Sequence, residues 1–534
     1  MTMPPPGDTG SAGPHAWLVE RTIEDLKAAL ASGETTAHDL ARMYLERIEA
    51  IDRRGPCLRS VIETNPDALA IADALDHDGP ATGAGGPLHG IPILIKDNID
   101  TGDAMETTAG SLALVGAPAK SDAFVAARLR AAGAVLLGKT NLSEWANFRS
   151  TRSSGGWSAR GGQCLNPYAL DVTPSGSSSG SAAAVAANIA AAALGTETDG
   201  SILSPAAANG IVGLKPTVGL TSRAGVIPIA HSQDTVGPMT RTVADAARLL
   251  QVIAGHDPRD PGSASTGNEH PESYVDALDP DGLRGARIGI PREVYWGYSP
   301  HADRAAEDAI AVMRDLGAEI VDPAQIPTAR DLATGWPPTD DTALTVLLYE
   351  FKDDLNAYLA GRDSPKGIDS LADLIAFNEA HAEQEMPYFG QELFLMAEAK
   401  GPLTEPAYLA ALERNRRLSR QEGIDAALDA HGLDALMMPT SSPPPKIDLV
   451  NGSRTLGGSS RPAALAGYPA ITVPAGFAFG LPVGITFMTR AFGEPTLLKL
   501  AYAFERATGA RRPPEFAPPG VLPPSPPIGS SSAG

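Results

Sequence analysis

The chain is poor in cysteine. Its 534 residues include two, Cys57 and Cys164, and no CxxC pair. That excludes zinc ribbons and thioredoxin-like redox sites, and two isolated thiols read as buried and reduced, in a reducing compartment. Aromatic residues make up only 5% of the chain, so the interior must be built from Ala, Val, Leu and Ile packed close. Positive charge is scarce as well: 42 Lys and Arg face 63 Asp and Glu, a formal net charge of −21. Such a surface repels phosphate backbones, and no nucleic-acid partner is expected. Long apolar runs are also missing. The longest, Ala182 to Leu194, is alanine-rich, broken by Asn188 and too short to cross a bilayer, so no membrane partner is expected. The opening "MTMPPPGDTGSAGPHAW" has neither a basic n-region nor an apolar h-region, and the expected location is the cytoplasm.

Glycine (55) and proline (47) are plentiful, and 43% of residues are hydrophobic, enough for a large buried core. Residues 1–15 and 511–534 are rich in Pro, Gly and Ser and read as disordered tails. Between them no second long linker and no repeat interrupts the chain, so 16–510 reads as one large domain. Thr22-x-x-Asp25 and Thr36-x-x-Asp39 are helix-start signatures. The segments "NPDALAIADALD" and "SDAFVAARLRAAG" read as helices. Short apolar runs lie between helical patterns: 91–95, 134–138, 286–291, 434–439, 469–474 and 482–488. Runs this short suit strands buried on both faces. The alternation predicts an α/β fold, a single α/β/α layered domain around a central mixed, twisted sheet. Residues 330–415 are polar, helical and poor in strand signals, as an inserted helical layer or lid would be.

Four features bear on chemistry. Lys96 follows the apolar run of "GIPILIKDNID". Either its ammonium snorkels to water, or burial lowers its pKa and makes it a usable base. In "TPSGSSSGSAAAVAANIAAAAL", residues 173–194, a Gly/Ser loop leads into a helix of small residues, which must be tightly packed because it has no bulky face. Its N-terminus aims backbone donors at the serines. The loop also spells G-x-S-x-G around Ser178, but the preceding "NPYALDVTP" is no hydrophobic strand, which argues against a nucleophile elbow. In "ETDGS" the N–H groups of Thr198, Asp199 and Gly200 are free to converge if no strand partner takes them, as an oxyanion hole requires. Of ten histidines none stands in a triad context. His381, with Glu385 four residues on, suits a structural hydrogen bond better than a metal, and no metal site is expected.

These segments together carry a resemblance. "GIPILIKDNID", "PSGSSSGSAAAVAA", "GTETDGSILSPAAANGIVGLKPT" and "SQDTVGPMTRTVADAARLLQVIAG" resemble the amidase signature family in order and spacing. The ending "AGYPAITVPAGF…GLPVGITFMTRAFGEPTLLKLAYAFE" resembles its C-terminal part, so the likeness spans about residues 20 to 510. The resemblance implies a serine–serine–lysine triad in which Lys96 is the base, Ser177 the middle serine and Ser201 the nucleophile. It implies a cis peptide between Gly176 and Ser177, an oxyanion hole at Thr198, Asp199 and Gly200, and Ser178 as a hydrogen-bond partner of the lysine. Two departures from the commonest pattern, "PSGSSSGS" and "ETDGS", together with "SEWANFRS" and "GWSARGGQCLNPY", look like the bacterial peptide amidase branch and its plant relatives. Asp199 beside an oxyanion would be harmful pointing inward, so its side chain is expected to point outward.

What the resemblance implies is hydrolysis of a carboxamide C–N bond through an acyl-enzyme, without a cofactor. The C-terminal amide of peptides is the first substrate class. Aryl-acylamide, polyamide or urethane cleavage on the same triad is the alternative, and the A subunit of a tRNA-dependent amidotransferase a further one. The expected partner is a small-molecule or peptide amide, with the protein a monomer or homodimer.

Overall fold

The computed structural model describes residues 15–79, 86–266, 271–333, 341–364, 366–452 and 455–522. Of the N-terminal segment read as a tail, all but His15 lies outside these residues. Short apolar runs bounded by turn residues become strands: β1 (Val61–Thr64), β2 (Pro92–Lys96), β3 (Val135–Thr140), β4 (Trp157–Ser158), β5 (Gly162–Gln163), β6 (Ala192–Glu197), β7 (Val212–Lys215), β8 (Thr235–Thr240), β9 (Arg287–Gly289), β10 (Glu319–Val321), β11 (Ala435–Pro439), β12 (Ala470–Ala478) and β13 (Leu481–Met488). Eleven of them make one mixed sheet in the order β1-β3-β2-β6-β8-β7-β12-β13-β11-β9-β10, and β4 and β5 form a separate ribbon. β2 runs parallel to both β3 and β6. Every residue of β2, β3, β6, β8, β11 and β13 is buried, which is why these strands read as unbroken apolar runs rather than alternating ones. The molecule is an α/β fold.

Helix starts follow the local chemistry. Thr22 and Asp25 form a reciprocal capping box at Ile23–Ser32, and the Thr36 hydroxyl accepts from the Asp39 N–H at Ala37–Arg47. Residues 173–194 differ from the single loop-and-helix reading. The helix is only Ser179–Ala186, and β6 begins at Ala192. Asn188 takes a left-handed φ of 57°, and the Arg47 guanidinium donates to the carbonyls of Ala187 and Asn188, so the helix stops there and the alanines beyond it extend.

The segment 330–415 is helical, with Thr342–Ala360, Leu371–Ala380, Ala382–Glu385, Glu392–Glu398 and the start of Pro406–Ser419, and among the described residues it holds no strand. Its apolar face, including Leu348, Phe351, Leu374 and Phe394, packs with Trp145, Phe148, Ile227 and Ile229 from the body. The C-terminal segment departs from the tail reading through residue 522. Arg511 pairs with Glu20 at 2.7 Å and donates to the Gly210 carbonyl, and Ala517 bridges to Ala169. An arginine with a waiting carboxylate and carbonyl can fix a proline-rich strip that has no core of its own. Both cysteines are free thiols, Cys164 buried.

Candidate active site

Because β2 and β6 are parallel neighbours, their C-terminal ends meet at one edge of the sheet, the usual place for a site in such folds. β2 ends on Lys96. β6 ends on Glu197 and runs directly into the turn 198–200 and Ser201. The loop before helix Ser179–Ala186 closes the third side. Its Gly176–Ser177 peptide is cis, and a Cβ on Gly176 would sit 2.2 Å from the Ser143 hydroxyl, so a larger residue there would have to move that side chain or the loop. The loop is fixed by the Ser143 N–H donating to the Ser177 carbonyl (3.1 Å) and the Ser178 N–H donating to the Ser201 carbonyl (3.1 Å). The second bond holds the two serine-bearing turns together.

The structure buries Lys96 completely, and the ammonium does not snorkel. Its Nζ lies 2.9 Å from Ser177 Oγ and 2.7 Å from Thr196 Oγ1. Desolvation in this pocket pulls its pKa down to about 7, against the opposing pull of the Asp234 and Glu197 carboxylates. The partner expected for the lysine, Ser178, is otherwise engaged. Its hydroxyl donates to the Thr196 carbonyl (3.0 Å) and accepts from the Thr196 N–H (3.2 Å), so it clamps β6 while the Thr196 hydroxyl takes the place beside the amine. A serine whose hydroxyl is spent on strand backbone is not an exposed nucleophile, which disposes of the G-x-S-x-G reading.

Ser201 is 9% exposed and Thr198 8%, against none for Lys96, Ser177 and Ser178, so of these the 198–201 turn lies nearest the surface. Gly200 has φ 80°, a left-handed turn that glycine adopts at least cost. The Glu197 carboxylate accepts the N–H groups of Ile202 (2.6 Å) and Leu203 (2.9 Å), closing the turn from beneath. The Asp199 side chain is turned to Ser460, whose hydroxyl donates to it at 2.6 Å, with Arg461 3.9 Å away. Sequence reasoning missed Thr196, Asp234 and Ser460. Thr196 sits in the quoted motif "GTETDGS", and its position two residues before Thr198 on a strand was the available signal. His381 hydrogen-bonds the Phe377 carbonyl and stacks on its ring, a structural role.

A buried amine that is partly neutral at pH 7, a serine hydroxyl against it, and a second serine on a glycine turn are the working parts of a hydrolase that cleaves the C–N bond of linear amides. The Amidase family model matches residues 39–498, and the chain belongs to the amidase signature family. The chain is 46% identical over 506 residues to a "Probable amidase" of Arabidopsis thaliana, covering 93% of this chain and 92% of that one. It is 40% identical over 494 residues to the A subunit of the glutamyl-tRNA(Gln) amidotransferase of Chloroflexus aurantiacus, covering 91% and 96%. Among solved structures, the native peptide amidase from Stenotrophomonas maltophilia superposes with a TM-score of 0.87 at 50% identity, over 93% of this chain and 99% of that one. A peptide amidase in complex with the competitive inhibitor chymostatin superposes at 0.89 and 51% identity, with the same coverage.

Proposed function

We propose that this amidase hydrolyses the C-terminal carboxamide of peptides and releases ammonia, with Ser201 as nucleophile and Lys96 as base. Neutral Lys96 accepts the proton of Ser177, Ser177 accepts that of Ser201, and the Ser201 oxygen attacks the amide carbon. The N–H groups of Thr198, Asp199 and Gly200 receive the developing oxyanion, each worth about 3–4 kcal/mol if removed. The proton then passes back along the same path to the leaving nitrogen. Water repeats the sequence on the acyl-enzyme, returning Ser201 and a peptide carboxylate. The observation that carries the triad is the 2.9 Å contact of Lys96 with Ser177 inside a fully buried pocket. The relay requires the Ser177 and Ser201 hydroxyls to come into contact, and catalytic hydrogen bonds commonly tighten as the reaction proceeds.

Peptide amides are favoured over other amides by the 50–51% identity to peptide amidases across almost the whole chain. A panel of peptide amides, anilides and short fatty amides, assayed for ammonia or amine release, tests this. Peptide amides are expected to dominate, with chymostatin competing, and predominant anilide cleavage overturns the choice. A second reading, ammonia release from glutamine, draws on the 40% identity to one component of an amidotransferase. It requires partner proteins to co-purify and glutamine to be the best substrate. We further infer a cytoplasmic monomer or homodimer that acts without a cofactor. Among the described residues, no helix is long and apolar enough to cross a membrane.

A further inference from the structure

Residues 231–234 connect the helical insertion to the site. His231 gives its N–H and its ring Nδ1 to Asp354 (both 2.9 Å), and the Ser232 N–H donates to Glu350 (3.0 Å). Both acids lie on helix Thr342–Ala360 of the insertion. The next two residues face the other way. Gln233 donates to the Thr198 carbonyl (3.3 Å), and Asp234 accepts the Thr198 hydroxyl at 2.6 Å. The second Asp234 oxygen gathers the N–H groups of Ile229 (2.8 Å) and Ala230 (2.9 Å), so the strap is closed on itself. Thr198 therefore has its side chain and its carbonyl both held by this strap. Asp234 also lines a small cavity with Asn98, Thr196, Thr198 and Arg223, and Thr196, with Ser177, touches the lysine amine.

We propose that Asp234 is a positioning residue for amide hydrolysis: it locks Thr198 of the oxyanion turn in place. The proposal rests on the triad reading above. The charged groups around Asp234 and Lys96 are few. Lys96 faces Asp234 and Glu197. Burial raises the Asp234 carboxyl to about 6, with Asp354 across the strap adding to the rise, so it is mostly ionised at pH 7; it shares its cavity with Arg223, which is itself paired with Asp260. His231 sits between Asp354 and Glu350. Removing the Asp234 charge takes away the anion that most supports the protonated lysine, so the lysine titrates at lower pH. Removing the Thr198 hydroxyl takes away the lock and leaves the charge.

The two effects separate in experiment. Asp234→Asn and Thr198→Val are each expected to lower kcat by roughly tenfold to a hundredfold while KM changes little, because the oxyanion donor matters most in the transition state. An Asp234→Ala/Thr198→Val double variant is expected to be no worse than the poorer of its two single variants, since both truncations break the same contact, which the amide of Asn can still make. In Asp234→Asn the acidic limb of the kcat/KM profile should move to lower pH, and in Thr198→Val it should stay where the wild type has it. Unchanged kcat in Thr198→Val, additive losses, or an unmoved limb in Asp234→Asn each overturn the proposal. A fluorophosphonate probe separates this from the triad reading. Wild-type protein that does not label at Ser201 defeats both, whereas normal labelling with unaltered variants defeats this one alone.

Discussion

At the scale of single residues the account turns on the charge of one amine. A free lysine is neutral in less than about a thousandth of molecules at pH 7. With the pKa of Lys96 near 7, about half the molecules carry the neutral base at that pH, a gain of about a thousandfold. Activity must therefore rise with pH through about 7 and level off above it, because the base works only without its proton. Lys96→Met is expected to cut kcat/KM by about a thousandfold or more, with a Tm close to wild type, as steady-state kinetics and calorimetry would show. Methionine keeps most of the volume and removes the cost of burying a charge. Gly176→Ala should be nearly as damaging to kcat, since the added methyl meets the Ser143 hydroxyl, which is held by the Gly156 N–H, and would push the loop away from Lys96. Recovery of activity in Ser143→Ala/Gly176→Ala would identify that clash as the cause.

At the scale of elements, helix Ser179–Ala186 shows why small residues are required. Every residue in it is buried. A Cβ on Gly180 would lie 2.2 Å from the Ser60 carbonyl oxygen and 2.5 Å from that of Asn141, so here glycine permits backbone to pass against backbone. Gly→Ala in an exposed helix stabilises by about 1 kcal/mol. At Gly180 it is expected to do the reverse and lower the Tm in thermal denaturation. The same packing explains what the sequence hid. The apolar runs at β2, β3, β11, β12 and β13 are rich in Ile, Leu, Val and Met and were legible as strands. β6 was not, because "AALGTE" looks like the end of the alanine helix before it, and only Asn188 at positive φ with the Arg47 contacts separates the two. β8 was hidden by Pro238, which rarely sits in a central strand. That proline stands opposite Leu194 within the ladder to β6 and just beyond Met239 and Thr240, the residues of β8 that pair with β7. Within the site, Lys96, Ser177 and Ser201 were legible through motif order. Thr196 and Asp234 were not, because their roles depend on which strand lies beside which.

At the scale of the molecule, distant segments are tied across the back of the site. Arg511, with a side chain only 10% exposed, joins the C-terminal strip to Glu20 near the start of the described chain and to the carbonyls of Gly210 and Ala186. Glu20 is about a third exposed, so solvent weakens the ionic part, and Arg511→Ala is expected to cost about 1–2 kcal/mol, read as a lower midpoint in urea unfolding. Its effect on kcat should be small, because the strip does not touch the triad. The insertion is different: its helix Thr342–Ala360 reaches the oxyanion turn through residues 231–234, so changes there are expected to alter catalysis as well as stability. The central claim is that this whole packing serves to strip the charge from Lys96 beside Ser177. The most direct test is the rate at which a fluorophosphonate labels Ser201 as a function of pH. The account predicts a rate that climbs to a plateau with its midpoint near 7 and collapses in Lys96→Met. Labelling that keeps rising toward pH 10, or that survives loss of the lysine, would contradict it.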